Sequence, residues 1–247
     1  MKRTKILLTT AFGLIMNAIT VQAVTPVVVQ HAYIESNEDR KVKLTFPRAT
    51  APGDLLVVMA GWTSGVYLSR TASENAVSDD INGDYTFLYS VAVTLPSPNG
   101  VTVFMAYLPQ CKGGKTTVTI KLPTRQNNIQ LDILEISGAS SLQYLTPQQP
   151  NFQGTANGNN NPPTSGSFLD ANTGTTTANC IVLGCFSQNL PDAMTLVSGI
   201  PIDVTPGGNS RFASAYLIAP SGSNPIISGT VSKSVFFAGI AAAFNAD

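Results

Sequence analysis

The feature that most constrains this chain is its almost complete lack of helical hydrophobic periodicity. Short runs of β-branched and aromatic residues recur instead, divided by clusters of Gly, Pro, Asn and Ser. We expect about a dozen of these runs to be strands. Residues 41–46 and 117–122 alternate polar and apolar side chains, which predicts one solvated face. Residues 55–60 and 180–183 are apolar throughout, which predicts central strands covered on both faces.

An internal similarity divides the chain into two series of runs. The first series comprises residues 103–109, 117–122 and 131–136, and the second comprises residues 213–220, 226–231 and 236–244; each follows an all-apolar run. This order predicts a jelly-roll-like β-sandwich of two mostly antiparallel sheets, built from two related halves packed face to face. The alternative is a chance match between runs of ordinary β composition.

Domain boundaries follow from the same pattern. We predict a single sandwich domain over residues 24–247, because neither half is expected to close a core alone. Residues 146–177 are rich in Pro, Asn, Gly and Thr. They are expected to form a long loop between the halves, with at most a short strand at residues 166–169.

The first 23 residues have the composition of a signal peptide. Lys2, Arg3 and Lys5 precede the mainly apolar residues 6–19, and small residues end the segment at Ala23. The alternative, a membrane anchor, would need about 20 apolar residues, and this run is shorter. We therefore predict cleavage after residue 23, secretion to the periplasm or the exterior, and no membrane insertion of the mature chain.

Charge excludes one class of partner. Only 11% of the residues are charged and the formal net charge is zero. No cluster of Lys and Arg follows the signal segment, so no nucleic-acid partner is expected.

Three cysteines, Cys111, Cys180 and Cys185, leave at least one thiol unpaired within the chain. Cys180 and Cys185 share one predicted strand, an odd number of positions apart, so they should point to opposite faces and cannot bridge each other. Either one of them pairs with Cys111, or all three are small buried hydrophobic residues.

The order of several segments resembles an uncharacterised β-sandwich module of secreted bacterial proteins. The resembling segments are residues 28–30, 53–62, 80–86, 133–138 and the Thr-rich run before Ala178. The resemblance implies a β-sandwich fold and an extracytoplasmic location. In that group the modules stand as accessory parts beside hydrolases or adhesive domains, and no catalytic residues are assigned to them.

Residues 130–135 resemble the catalytic strand of laminarinase-like glycoside hydrolases, which share the jelly-roll fold. The resemblance implies a nucleophile at Gln130 and an acid/base at Glu135, as the two carboxyl groups of a retaining enzyme. The nucleophile position holds an amide here, which cannot attack an anomeric carbon at a useful rate. A plain strand is the alternative.

One acidic cluster offers oxygen ligands at alternating positions. Asp79, Asp80, Asn82 and Asp84 surround Gly83. Such side chains suit a hard cation, so calcium is a candidate cofactor. Asn82 followed by Gly83 is also a common hairpin turn, which is the alternative.

Aromatic residues near strand ends are candidates for stacking on sugar rings. Trp62, Tyr67 and Tyr85 are the weak ligand-binding candidates, and a core position is the alternative for Trp62. The single histidine, His31, is expected to be a partly exposed residue of an edge strand, and a Ser-His-Asp hydrolase has little support.

Three functions follow, in order. The first is a non-catalytic secreted binding module for a glycan or a cell-surface polymer. The second is an extracellular structural or assembly protein that adds its N-terminal strand, residues 27–29, to a neighbour's sheet. The third is a jelly-roll glycoside hydrolase.

Overall fold

The computed structural model describes residues 24–37, 39–64, 66, 76–93, 100–143, 151–153, 168–190, 194–204, 211–231 and 237–247. These residues form antiparallel strands and no helix, which confirms the all-β prediction. The predicted signal peptide, residues 1–23, lies outside them. No helix in the described part of the chain has the length and apolar character to cross a bilayer.

The described residues of the first half of the chain form nine strands. They are β1 Val27–Ser36, β2 Asp39–Thr45, β3 Leu55–Trp62, β4 Val77–Asp79, β5 Gly83–Asp84, β6 Thr86–Val93, β7 Val101–Leu108, β8 Thr117–Gln126 and β9 Ile129–Ser137. Two sheets result. The first central sheet has the order β1-β9-β3-β7-β6, and the first outer sheet has the order β2-β8-β4-β5.

The second half also contains nine strands. They are β10 Ala139–Leu142, β11 Asn151–Gln153, β12 Phe168–Asn172, β13 Cys180–Gln188, β14 Met194–Ser198, β15 Ile200–Val204, β16 Phe212–Ala219, β17 Ile226–Val231 and β18 Phe237–Ala246. The second central sheet has the order β10-β18-β13-β16-β15, and the second outer sheet has the order β11-β12-β17-β14.

The two halves share one topology. Strands β1, β9, β3, β7 and β6 correspond in order to β10, β18, β13, β16 and β15. The registers agree as well: the row Thr86, Tyr107, Val57, Leu134 in the first central sheet matches the row Ile200, Tyr216, Leu183, Ala242 in the second. The paired runs seen in the sequence therefore occupy equivalent strands, which is expected of a duplicated unit rather than of chance composition.

Three apolar layers hold four sheets together, where the sequence analysis expected two sheets and one core. One layer lies between the first outer and first central sheets, one between the two central sheets, and one between the second central and second outer sheets. Each half is thus a sandwich by itself, and the halves pack through their central sheets. β3 and β13 are buried along their whole length, as their all-apolar sequences predicted.

The segment expected to be a long loop contains two short strands. β11 and β12 lie within residues 146–177 and pair with each other, and β12 also pairs with β17 of the second outer sheet. β12 begins at Phe168, close to the short strand considered at residues 166–169. The parts of this segment that precede and separate the two strands lie outside the described residues.

Candidate functional site

The acidic cluster forms a hairpin turn between β4 and β5. Asp79 Oδ1 accepts hydrogen bonds from the backbone N–H groups of Ile81 and Asn82, at 2.8 and 2.5 Å. Asp79 Oδ2 accepts another from Asn82 Nδ2 at 2.8 Å. The carboxylate thereby closes a turn that leads into Gly83, which has the positive φ of 93° that such turns require.

Further oxygens of the cluster tie this hairpin to the neighbouring backbone. Asp80 Oδ1 accepts the N–H of Thr117 at 2.8 Å, and Asn82 Oδ1 accepts the N–H of Lys112 at 2.7 Å. Asp84 is exposed on β5. A calcium ion would have to displace these hydrogen bonds. The described residues contain no group of three or more His, Cys, Asp or Glu side chains that could hold a metal, so the calcium site stays a prediction.

The two described aromatic candidates are buried, which corrects the expectation of an exposed stacking surface. Trp62 has no exposed area and packs against Phe104, with ring centroids 5.9 Å apart. Tyr85 is also buried, and burial together with the nearby Asp79 carboxylate raises its pKa. Neither ring can stack on a sugar from these positions. Tyr67 lies outside the described residues.

Glu135 has a structural role at the end of β9. Its carboxylate accepts hydrogen bonds from Gln30 Nε2 and from the backbone N–H of Ala51, both at 2.5 Å. Ile133, two positions before Glu135, faces the first outer sheet and Glu135 shares its face, whereas Gln130 lies on the opposite face of the strand. Two groups on opposite faces cannot act on one glycosidic bond, so this strand does not form the carboxyl pair of a glycosidase.

Asp132 is fully buried between the two central sheets. Ser214 Oγ donates a hydrogen bond to its Oδ2 at 2.6 Å, and His31 Nδ1 lies 3.7 Å from its Oδ1. Burial raises the pKa of Asp132, and the contacts with His31 and Ser214 oppose that rise. Ser214 bonds directly to the carboxylate, whereas in a hydrolytic triad the imidazole lies between the serine and the carboxylate and takes the serine proton, so this arrangement is not such a triad. His31 is 43% exposed on the edge strand β1, as predicted.

All three cysteines are free and buried. Cys185 faces the core between the central sheets, and Cys180 faces the second outer sheet, which confirms the predicted opposite orientations. Cys111 packs in the core of the first half, so the interpretation as small buried hydrophobic residues fits the structure.

A concave feature in the described part of the chain lies where β6 and β7 of the first central sheet meet β10 of the second. This groove has a volume of about 400 Å³. It is lined by apolar and hydroxyl side chains, namely Thr86, Phe87, Leu88, Tyr107, Pro109, Ser140, Ser141 and Leu142. We call it the β6–β10 groove. Its size falls within the range of about 300–1,000 Å³ typical of small-ligand sites.

Packing positions the aromatic wall of the β6–β10 groove. Tyr107 is half-buried on β7 and rests against Phe244 of β18, with ring centroids 5.4 Å apart. Phe87 on β6 stacks with Phe104, with centroids 6.3 Å apart and planes inclined by 9°. The Tyr107 ring is therefore held by the core between the central sheets, and the Phe87 ring by the core on the other face of the first central sheet.

Hydroxyl groups form the polar part of the same groove. The hydroxyls of Thr86, Tyr107 and Ser140 make no hydrogen bond with any described residue. Ser141 Oγ accepts a hydrogen bond from Asn245 Nδ2 at 3.1 Å, and Asn245 in turn accepts one from Gln143 Nε2 at 2.9 Å. The bond from Asn245 thus orients the Ser141 hydroxyl, whose own proton remains available for a hydrogen bond to a ligand.

The equivalent edge of the molecule, formed by β15, β16 and β1, has a different surface. Ile200 occupies the register position of Thr86, Ile218 that of Pro109, and Val27 that of Ser141. These three side chains are 53%, 42% and 53% exposed. The hydroxyl groups of the β6–β10 groove are consequently not required by the duplicated fold.

Sequence reasoning did not identify the β6–β10 groove. It considered aromatic residues near strand ends, whereas Tyr107 and Tyr216 lie within strands. The one available signal was the repeated Ala-Tyr-Leu at residues 106–108 and 215–217, which marks the equivalent positions in the two halves. Nothing in the sequence indicated that Ser140 and Ser141 would lie beside Tyr107.

No protein-family model and no curated protein matches the chain. Among solved structures, the CUB1-EGF-CUB2 domain of human MASP-1/3 aligns with 9% identity over 86% of this chain and 99% of that one, at a TM-score of 0.22.

Proposed function

We propose that the chain is a secreted, non-catalytic binding module whose ligand, a glycan or cell-surface polymer, lies in the β6–β10 groove. The observation that carries the proposal is that Tyr107, Ser140 and Ser141 line the same groove. Tyr107 is half-buried, and its hydroxyl has no partner among the described residues. A sugar ring presents apolar C–H faces and a polar rim, and this groove presents the complementary surfaces.

Two further features support binding without catalysis. The carboxylates of Asp132 and Glu135 are both committed to internal hydrogen bonds, one with Ser214 and the other with Gln30 and Ala51. Neither carboxylate lines the groove. The described residues of the groove therefore supply no general acid or base apart from the phenol of Tyr107.

A steric block tests the site. Thr86→Arg places a long charged side chain at an exposed position of the groove on the edge strand β6. Thr195→Arg is the matched control, because Thr195 is also exposed on an edge strand, β14, of the second outer sheet. On a glycan array followed by calorimetry, Thr86→Arg should weaken binding by about tenfold or more, equal to about 1.4 kcal/mol. Equal affinity of the two variants would refute the site.

Secretion has its own test. The charged and apolar residues 2–19, followed by small residues up to Ala23, support export and cleavage. Protein recovered from the exported fraction should begin at Val24 by N-terminal sequencing. Exported protein that retains residues 1–23 would contradict the proposal.

The second candidate function is assembly with another copy of this chain through β1. β1 is an edge strand ten residues long, and Val27 and Val29 are exposed on it. Antiparallel pairing of β1 with its copy would form a closed two-fold dimer. Because the formal net charge of the chain is zero, overall charge repulsion between two copies does not oppose this dimer. One contact resists such pairing, since Arg48 Nη2 donates to the Val29 carbonyl at 3.1 Å.

Matched charge substitutions test this assembly. Val27→Lys places a cation on the β1 edge, and Val197→Lys places one at an exposed valine of β14. Sedimentation velocity should show a concentration-dependent dimer in the parent and in Val197→Lys, and a monomer in Val27→Lys. A parent that stays monomeric at high concentration would remove assembly as a candidate.

A further inference from the structure

The chemistry of the β6–β10 groove is uncharged throughout. Its eight lining residues include no Lys, Arg, His, Asp or Glu. Tyr107 is the one titratable group among them, and burial raises the pKa of its phenol. The phenol therefore remains a neutral hydroxyl at physiological pH, able both to donate and to accept a hydrogen bond.

An ionic ligand would lose more than it gained in this groove. A carboxylate, sulfate or phosphate group leaves water at a large cost, and a protein offsets that cost with a charged partner or with several converging donors. The lining supplies hydroxyl groups and apolar surface instead. An amino sugar would meet the same difficulty, because no carboxylate lines the groove to pair with an ammonium group.

The hydroxyl groups match a ligand that carries hydroxyl groups itself. Thr86, Tyr107 and Ser140 each offer one donor and open acceptor positions. Ser141 accepts one hydrogen bond from Asn245 and keeps its O–H donor and one further acceptor position. A saccharide hydroxyl can satisfy either role, whereas a purely apolar ligand would exclude water and leave these groups without hydrogen-bond partners.

The equivalent edge formed by β15, β16 and β1 lacks the hydroxyl side chains that the groove has at two matching register positions. On the same backbone framework, Ile200 stands at the position of Thr86 and Val27 at the position of Ser141. β-branched apolar residues are therefore compatible with both register positions. Thr86→Ile and Ser141→Val, which would give the groove the residues of the other edge, should therefore have little effect on the stability of the fold.

We infer that the β6–β10 groove selects an uncharged saccharide, whose ring face lies against Tyr107 and Leu88 and whose hydroxyl groups bond to Ser140, Ser141 and Thr86. The inference rests on the proposed function and narrows its ligand class from any glycan or surface polymer to neutral sugars. Acidic and amino polysaccharides are excluded as ligands of this groove.

The test compares neutral and charged forms of one sugar backbone. The probes are neutral oligosaccharides of gluco, galacto and manno configuration, a carboxymethylated glucan and a glucosamine oligomer, each titrated by calorimetry. The parent should bind at least one neutral probe about tenfold more tightly than the charged form of the same backbone. Raising the salt from about 0.05 to about 0.5 M should leave the neutral affinity unchanged, because no ion pair contributes to it.

Two variants connect this selectivity to the groove. Thr86→Ile with Ser141→Val gives the groove the residues of its counterpart and should lower neutral-sugar affinity by about tenfold. Tyr107→Phe removes only a hydroxyl and should lower it by about threefold. Ile200→Thr on the opposite edge is the control and should bind like the parent. Far-ultraviolet circular dichroism and the melting temperature verify that each variant remains folded.

The outcomes separate the inference from the proposed function. Groove-dependent binding of the carboxymethylated or amino probe, stronger than that of the neutral probe, would overturn the neutral-sugar inference and leave the binding function in place. Binding of saccharides that neither the double variant nor Tyr107→Phe weakens would overturn the proposed site. Binding of none of the probes by the parent would overturn both.

Discussion

Ser214 on β16 donates a 2.6 Å hydrogen bond to the carboxylate of Asp132 on β9, across the interface between the two central sheets. Both residues are fully buried in the mainly apolar layer between these sheets. The two halves of the molecule are thus joined by a directional polar contact as well as by hydrophobic packing.

Loss of this donor should destabilise the fold. Ser214→Ala leaves a buried carboxyl group with one partner fewer, and we expect the free energy of unfolding to fall by about 2 kcal/mol. Ser228→Ala, which removes a hydroxyl paired with Ser198 at 3.0 Å in the second outer sheet, should cost about 0.5 kcal/mol. Urea denaturation of both variants measures the difference. Similar losses in the two variants would show that the inter-sheet bond contributes little.

Asp54 should make stability depend on pH. Burial raises the pKa of Asp54 from 3.8 to about 6, helped by a hydrogen bond that protonated Asp54 donates to Glu135 and by repulsion from the Glu135 carboxylate. The folded state therefore holds the proton more tightly than the unfolded chain does. This contribution is complete below about pH 4 and is lost as the pH rises through about 6.

The variant Asp54→Asn isolates this effect. Relative to the variant, the parent should lose about 1 kcal/mol of unfolding free energy between about pH 4 and pH 7, a value reduced because Asp54 is partly exposed. Urea titrations at several pH values measure the difference between the two proteins. A difference that is constant with pH would contradict the assigned pKa.

Close approach of the central sheets should make Gly61 sensitive to substitution. A Cβ added at Gly61 on β3 would lie 2.6 Å from Cβ and Oγ of Ser187 on β13. Gly61→Ala should therefore lower the unfolding free energy by about 2–3 kcal/mol. Combining it with Ser187→Gly should recover part of that loss in a double-mutant cycle. Additive effects of the two substitutions would mean that the residues do not clash.

The single tryptophan should report on the core and not on the ligand. Trp62 has no exposed area, packs against Phe104 and is not one of the residues that line the β6–β10 groove. Its native emission should be blue-shifted and resistant to iodide quenching, and sugar binding should leave the emission unchanged. Efficient quenching of the native protein by iodide would show that the ring is accessible.

Several features of the fold were predictable because they depend on local patterning. The uninterrupted apolar runs of β3 and β13 indicated strands covered on both sides, and both are fully buried. The spacing of Cys180 and Cys185 indicated opposite faces, and they occupy different cores. The short strands β4 and β10 were missed, because three or four residues are too few to show a period of two.

The candidate site was not predictable, and the reason is geometric. Trp62 follows the apolar run of residues 55–60, and its position in the sequence is compatible with either a core or a surface location. In the structure it packs against Phe104 in the core. Ser140 and Tyr107 are far apart along the chain and meet only because β10 lies beside β6 and β7.

The sequence by itself determined that this chain forms antiparallel strands and that the two series of strands correspond, because both properties follow from side-chain alternation within short segments. Only the tertiary structure decided that each half builds its own sandwich and that the halves pack through their central sheets. That choice depends on which apolar faces meet, and a strand buried on both faces is equally compatible with several partners. The β6–β10 groove arises at this interface, so its residues acquire a common role only when the two halves come together.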